Sequence, residues 1–144
     1  MLGGVRIDHA HGLEGHSDAD VLCHAVADAL LGAVADGDIG VHFPNTDSRW
    51  KDADSIVLLR QVTARLRNKG WHVVNVDASV VAEQPRIRPY VDEMRGRMAE
   101  AMAVTPEQVS VKATTAERLG ALGRGEGIAV MAVALVEDGK QEDE

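Results

Sequence analysis

The stretch WHVVNVDASVVA, residues 71–82, decides the fold because it reads as a long β-strand between helical segments. Successive residues of a strand point to opposite sides of a sheet, so this stretch has two distinct faces. One face is the more apolar and is expected to point toward the core: His72, Val74, Val76, Ala78 and Val80. Such a face needs a neighbouring layer of helices to cover it.

Three segments around this strand repeat apolar residues at helical spacing and are predicted to be helices: residues 17–35, 54–69 and 89–104. Ser17 is expected to cap the first helix, with Asp20 at the position of a capping-box acid. The second and third helices each carry an apolar stripe that should face the core. The stripes consist of Ile56, Leu59, Val62 and Leu66 in the second helix and Val91, Met94, Met98 and Met102 in the third.

Three further segments, residues 1–7, 108–115 and 128–136, are predicted to be strands. The last of them, IAVMAVALV, is apolar throughout and is therefore expected to be buried on both faces. A Gly-rich connection separates the last two strands, which could pair as a long hairpin.

The alternation of helices and strands predicts an α+β fold, a single sheet with helices packed on one face, in one domain over residues 1–136. The opposite face of the sheet would be bare in a single chain, and oligomerisation is the usual way to cover such a face. Residues 137–144 are strongly acidic and are expected to form a disordered tail.

Composition limits the function. The net charge of −8 and the 3% of aromatic residues disfavour a nucleic-acid partner, which would need clustered Lys and Arg or base-stacking side chains. Cys23 is the only cysteine, which excludes an internal disulfide and a multi-cysteine zinc site. No apolar run approaches the roughly 20 residues of a membrane helix, and no secretory leader is visible. We therefore expect a cytoplasmic protein with no membrane partner.

Two histidines, His16 and His24, flank the first turn of the first predicted helix. A helix N-terminus carries unpaired N–H groups and partial positive charge, which suit an anion such as phosphate. Histidine at such a place can donate to phosphate or bind a metal that bridges to it. A capped helix with one partly buried histidine explains these residues equally well.

A second polar stretch consists of KATTAERLG, residues 112–120, and GRGEG, residues 123–127. Thr114 and Thr115 could donate hydrogen bonds to a phosphate, and Glu117 could hold Mg²⁺ against the same phosphate. A plain Gly-rich turn remains the alternative, and spacing alone favours it.

Two loops carry weaker signals. Short polar side chains after the first helix could bind hydroxyl groups, although ordinary turn chemistry is favoured there. Alternate histidines in the loop before it could bind a metal, although such residues are more often solvated. The residues concerned are Asp38, Asn45 and Asp47 after the helix and Asp8, His9 and His11 before it.

Four segments together resemble the family of 2-C-methyl-D-erythritol 2,4-cyclodiphosphate synthases: HSDADVLCHA, GDIGVHFPNTD, KATTAERLG and GRGEGIA. The resemblance runs in order from Gly3 to about Val136. It implies a lyase of non-mevalonate isoprenoid biosynthesis that converts 4-diphosphocytidyl-2-C-methyl-D-erythritol 2-phosphate into the cyclic diphosphate and releases CMP. It also implies a homotrimer around a central cavity, with active sites between subunits.

The resemblance assigns roles to individual residues. His24 corresponds to a zinc ligand, Glu117 to the ligand of a second divalent ion, Mg²⁺ or Mn²⁺, and Arg124 to a residue lining the trimer cavity. The positions that stabilise the transition state correspond to His16 and Thr115, and their neighbours Ser17 and Thr114 to substrate contacts. The methylerythritol pocket corresponds to Asp38, Gly40, Phe43, Pro44, Asn45, Thr46 and Asp47. The cytidine pocket corresponds to Ala82, Pro85, Arg86, Ile87 and Arg88, with Ala113 nearby.

The family's zinc site takes two more ligands from an Asp-x-His motif on a strand upstream of the His16 position. Residues 1–15 do not contain that strand, since Asp8-His9-Ala10-His11 falls where the family has a hairpin loop. The zinc site is therefore expected to be incomplete in the sequence as given. Either the start was placed too late, or the chain is a truncated, non-catalytic trimer that binds cytidine or isoprenoid diphosphates.

Overall fold

The computed structural model describes residues 1–7, 20–44, 54–84 and 86–139. Nine residues singled out above lie outside these ranges, as does the end of the predicted tail, residues 140–144. The nine are Asp8, His9, His11, His16, Ser17, Asn45, Thr46, Asp47 and Pro85.

The described residues form one mixed sheet of three strands in the order β2-β1-β3. The strands are β1 (Trp71–Val81), β2 (Val109–Thr114) and β3 (Ala129–Asp138). β2 runs parallel to β1, and β3 runs antiparallel to it. The expected hairpin of the last two strands is wrong, because β1 lies between them. Ten residues of β3 can pair along nearly the whole of β1, a longer ladder than the six residues of β2 could offer.

An irregularity in β1 changes which of its side chains reach the core. The register against β3 shifts between Val73 and Asn75, as at a β-bulge, so the alternation restarts there. Val73 is buried, whereas His72 and Val74, which were predicted to point inward, are only half-buried. Beyond the bulge the prediction is confirmed, and the buried residues are Val76, Ala78 and Val80.

The two faces of β3 differ, so the expectation that both are buried is wrong for a single chain. The side chains of one face pack against the core: Val130, Ala132, Ala134 and Val136. On the other face Met131, Val133 and Leu135 are 69%, 73% and 55% exposed. The helices cover only one side of the sheet, which leaves this row of apolar side chains in water. β3 also extends two residues beyond the predicted domain end at residue 136.

Three helices of three or more turns build the covering layer: α1 (Val21–Ala33), α3 (Ser55–Asn68) and α4 (Val91–Met102). The predicted stripe of α3 is confirmed as fully or nearly fully buried, and so are the three methionines of α4. α1 begins later than predicted, because Asp20 rather than a residue three positions earlier is its N-cap. None of the helices in the described ranges is long and apolar enough to span a membrane.

Short turns complete the structure. α2 (Ile39–His42) and α5 (Gly120–Gly123) are single helical turns, and 3-10 turns occupy Arg88–Tyr90 and Pro106–Gln108. α4 with its preceding 3-10 turn provides the crossover that makes β2 parallel to β1, since parallel strands cannot be joined by a tight turn.

The first residues form a tight turn rather than the predicted strand. Leu2 and Val5 exchange both backbone hydrogen bonds around Gly3 and Gly4, whose φ angles are 57° and 75°. A Cβ on Gly4 would lie 2.6 Å from the side chain of Ile56, so only glycine fits this close approach. The turn closes one edge of the core instead of adding a strand to the sheet.

Candidate active site

The parallel ends of β1 and β2 bring two predicted site segments together. Val81 is paired with Thr114, and the N–H of Ala82 donates to the carbonyl oxygen of Thr114 at 3.0 Å. The loop after β1 and the turn after β2 therefore leave the sheet at the same edge, side by side. These segments hold the residues predicted for the cytidine pocket and for phosphate and metal binding.

A cleft of about 470 Å³ opens beside this edge. Two of its lining residues, Arg88 and Ala113, were predicted for the cytidine pocket, whereas no role was predicted for Lys112 or Asp92. The remaining lining residues are Val91 and Val111. No signal in the sequence pointed to Lys112, because successive strand residues alternate between faces and its place beside the cleft depends on β2 being an edge strand.

The other predicted cytidine residues differ in what they can offer. The side chains of Ala82 and Ile87 are buried in the core, at 7% and 3% exposure, so a ligand could reach them only through their backbone. Arg86 is exposed at the same edge. Lys112 is paired with Asp77 on the uncovered face of the sheet at 2.8 Å, and this hydrogen bond lowers the pKa of the Asp77 carboxyl.

The turn after β2 presents two hydroxyls and a carboxylate. The N–H of Glu117 donates to Thr115 Oγ1 at 3.2 Å, which leaves the hydroxyl proton of Thr115 for another acceptor. Thr114 Oγ1 donates to the carbonyl oxygen of Thr115 at 3.4 Å. All three residues are exposed, so a bound phosphate or cation could reach them.

A second group of predicted residues surrounds α2. Asp38 caps this helix by accepting from the N–H of Val41 at 3.0 Å, and its side chain is exposed. The N–H of Ile39 donates to Asp28 Oδ1 at 2.9 Å, which ties α2 to α1. Gly40 is exposed, while Phe43 and Pro44 are half-buried. Because the segment beyond Pro44 is not described, the methylerythritol pocket stays a prediction.

An ion-pair cluster anchors the α2 segment. The Asp36 carboxylate accepts from Arg65 Nε at 2.5 Å and lies 3.1 Å from Lys69 Nζ. His42 Nε2 donates to the backbone oxygen of Asp36 at 2.6 Å. Hydrogen bonds from Arg65 and Lys69 hold the pKa of the Asp36 carboxyl well below its usual range. The cluster joins the end of α1 to α3 and thereby fixes where α2 begins.

A family model, the YgbB family, matches residues 1–137 of this chain. The chain belongs to the YgbB family. Curated relatives named 2-C-methyl-D-erythritol 2,4-cyclodiphosphate synthase include one from Pseudomonas aeruginosa, 62% identical over 135 residues, covering 94% of this chain and 86% of the relative. Another, from Thermosynechococcus vestitus, is 56% identical over 139 residues, which cover 96% of this chain and 86% of the relative.

Solved structures of this family share the fold. The bifunctional IspDF of Campylobacter jejuni matches with a TM-score of 0.89 and 39% identity, over 96% of this chain and 37% of that one. A CDP complex of IspF from Plasmodium falciparum matches with a TM-score of 0.80 and 29% identity, over 96% of this chain and 83% of that one. The family resemblance seen in the sequence is therefore confirmed.

The described residues of this YgbB chain differ in how well they could bind the two expected metals. His24 lies half-buried in the first turn of α1, and within the described ranges no three His, Cys, Asp or Glu side chains group around one point to hold a metal. Catalytic zinc takes three protein ligands, so the described residues alone do not make a zinc site. Glu117 does fit Mg²⁺ or Mn²⁺, since Mg²⁺ is commonly held by one or two carboxylates together with substrate phosphates.

Two further residues complete the comparison with the sequence. Arg124 is exposed and paired with Glu126 at 3.0 Å, so it is oriented outward from the chain; its predicted place in a trimer cavity stays a prediction. Asp20, expected only as a capping-box acid, is completely buried and accepts hydrogen bonds from four donors among the described residues. These are the N–H groups of Gly3, Gly4 and Cys23 and the hydroxyl of Ser55, at 2.9, 2.8, 3.0 and 2.8 Å.

Proposed function

We propose that this chain is a 2-C-methyl-D-erythritol 2,4-cyclodiphosphate synthase, a lyase of the non-mevalonate route to isoprenoids. The observation that carries the proposal is the 62% identity to a synthase over 94% of the chain, which includes every segment at the described strand edge. The segment after β1 carries two exposed cations, Arg86 and, in the following 3-10 turn, Arg88, and the neighbouring strand β2 leads into the turn that carries Thr115 and Glu117. This arrangement suits a nucleoside diphosphate whose phosphates point toward the turn.

The reaction is an intramolecular displacement at phosphorus. An oxygen of the 2-phosphate of 4-diphosphocytidyl-2-C-methyl-D-erythritol 2-phosphate attacks the β-phosphorus. The bond from the β-phosphorus to the oxygen that bridges to the α-phosphorus breaks, and CMP leaves with that electron pair. No protein nucleophile is needed, so the protein contributes positioning and stabilisation of the negative charge.

The described residues can supply both contributions. The Thr115 hydroxyl, which keeps its proton free, can donate to a phosphate oxygen in the transition state. Glu117 would hold the divalent ion, Mg²⁺ or Mn²⁺, whose charge offsets that of the phosphates when it is bound. His24 is proposed as one zinc ligand, and His16 and Ser17 keep their predicted roles beyond the described ranges.

The assay is incubation of the purified protein with its substrate and Mg²⁺. Phosphorus NMR should show the cyclic diphosphate, and chromatography should show an equal amount of CMP. Tight binding of CDP without CMP release would instead favour the non-catalytic binder. Glu117→Gln should weaken the binding of Mg²⁺ and lower turnover, because a hard cation prefers a carboxylate oxygen to an amide. Glu100→Gln, an exposed carboxylate on α4, is the matched control and should behave as wild type.

We also propose that the chain forms a homotrimer with active sites between subunits. The exposed row of Met131, Val133 and Leu135 supports it, because a contiguous apolar face is rarely left in water. Val133→Asp should yield monomers in sedimentation, since a carboxylate would have to be buried in the interface. Val57→Asp, at an exposed apolar position of α3, should leave the assembly intact. A stable wild-type monomer would contradict the proposal.

A further inference from the structure

The turn that carries Glu117 has an unusual backbone. Glu117 and Arg118, neither of them glycine, both adopt left-handed φ angles, 50° and 63°. The left-handed region brings Cβ close to the following carbonyl oxygen, so such residues usually occur singly. Two in succession persist only where the surrounding structure holds them, and such places cluster at functional sites.

One side of this turn is held by a carboxylate from a distant part of the chain. The backbone N–H of Arg118 donates to Glu83 Oε1 at 3.0 Å, across 35 residues of sequence. Glu83 follows Ala82, whose own N–H donates to Thr114, so two hydrogen bonds tie the loop after β1 to the turn after β2. Hydrogen bonds to an ionised acceptor are about twice as strong as neutral ones.

The other side of the turn is held by close packing. A Cβ on Gly123, in α5, would lie 2.1 Å from the carbonyl carbon of Arg118, which no side chain could tolerate. Leu119 and Gly123 also join the turn to α5, through donation from the N–H of Gly123 to the carbonyl oxygen of Leu119 at 3.0 Å. The turn is thus fixed between a carboxylate and a glycine.

We propose that Glu83 is a positioning residue for Glu117. Its carboxylate accepts from the backbone one residue beyond Glu117 and so fixes the left-handed turn that aims the Glu117 carboxylate. The Thr115 hydroxyl, which accepts from the N–H of Glu117, is held by the same turn. Glu83 thereby sets the affinity of the turn for a divalent cation next to phosphate, an inference that rests on the proposed role of Glu117.

The test compares Glu83→Ala and Glu83→Gln with the control Glu100→Gln. Hydrogen exchange at the Arg118 amide reports the turn directly, and Mn²⁺ binding in the presence of CDP, followed by electron paramagnetic resonance, reports the cation site. For Glu83→Ala we expect exchange about tenfold faster and Mn²⁺ binding about tenfold weaker, the loss of one charge-assisted hydrogen bond. Glu83→Gln keeps a neutral acceptor and should recover part of both losses.

The outcomes separate this proposal from the proposed function. A wild-type protein that releases no CMP would reject the enzymatic assignment, while exchange and Mn²⁺ binding would still be readable. If the wild type is active and Glu83→Ala matches it in both exchange and Mn²⁺ affinity, the positioning role is wrong. A loss of thermal stability in both Glu83 variants with unchanged Mn²⁺ affinity would likewise overturn the proposal, because it would show a purely structural role.

Discussion

Replacing Asp20 by asparagine should destabilise the fold strongly while preserving its shape. Asp20 is completely buried at the start of α1, where its carboxylate joins the first turn of the chain to α1 and α3. Burial, the largest influence, raises the pKa of this carboxyl, but hydrogen bonds from Cys23, Gly4, Ser55 and Gly3 outweigh it and hold the pKa below its usual value. The ionised form is therefore the one that the folded protein prefers.

The size of the loss in unfolding free energy follows from the four described donors that the Asp20 carboxylate binds. The amide oxygen of asparagine can replace Oδ1 and keep the N–H groups of Gly3 and Cys23. The amide nitrogen would then face the N–H of Gly4, a donor with no other partner among the described residues, and the Ser55 hydroxyl, which can rotate to accept. One buried unpaired donor and the loss of charge from the remaining bonds cost about 3 kcal/mol.

The assay is urea unfolding followed by circular dichroism at equal protein concentration, with the midpoint expected to fall at an unchanged m-value. Asp54→Asn is the matched control: Asp54 also caps a helix, α3, by accepting from the N–H of Ile56, but it is exposed. Asparagine is an equally good cap, so the control should lose less than about 0.5 kcal/mol. A loss below about 1 kcal/mol for Asp20→Asn would refute the argument.

The difference in unfolding free energy between wild type and Asp20→Asn should also depend on pH, and the pKa shift determines in which direction. A carboxyl whose pKa is lowered by folding stabilises the protein above its unfolded-state pKa of about 3.9. That contribution is lost as the pH falls through the lower folded-state value. The gap in unfolding free energy between wild type and Asp20→Asn should therefore be constant near neutral pH and shrink below about pH 4.

Three further predictions concern other parts of the molecule. Gly123→Ala should destabilise the Arg118 turn and weaken Mn²⁺ binding, whereas Gly32→Ala, with no atom within 4 Å of the new Cβ, should be neutral or stabilising in urea unfolding. Burial, with the nearby Asp20 carboxylate, raises the pKa of the Cys23 thiol, so a thiol reagent should label Cys23 only as urea unfolds the protein. Asp36→Asn should raise KM for the substrate more than it lowers kcat, because its cluster anchors the segment predicted to bind methylerythritol.

Local sequence patterns predicted the helices and β1 well. The stripe of α3 and the methionines of α4 repeat at helical spacing, and burial of one face enforces that spacing wherever a helix lies on a core. The family could also be recognised from the sequence, because its motifs are short local segments that occur in a fixed order along the chain. Candidate residues at the strand edge could be named from these motifs, although only the fold shows that Arg88 and Ala113 line one cleft.

Only the tertiary structure decided the features that depend on contacts between distant residues. The strand order β2-β1-β3 follows from pairing lengths, and the first turn follows from Asp20, which binds Gly3 and Gly4 from seventeen and sixteen residues away, respectively. The left-handed turn at Glu117 depends on Glu83 in the same way. By itself, the sequence determined the helical stripes, the main strand and the family, because periodicity is a local property. Hydrogen bonds that one buried or bridging carboxylate accepts from distant backbone N–H groups leave no periodic trace, so only the folded chain reveals them.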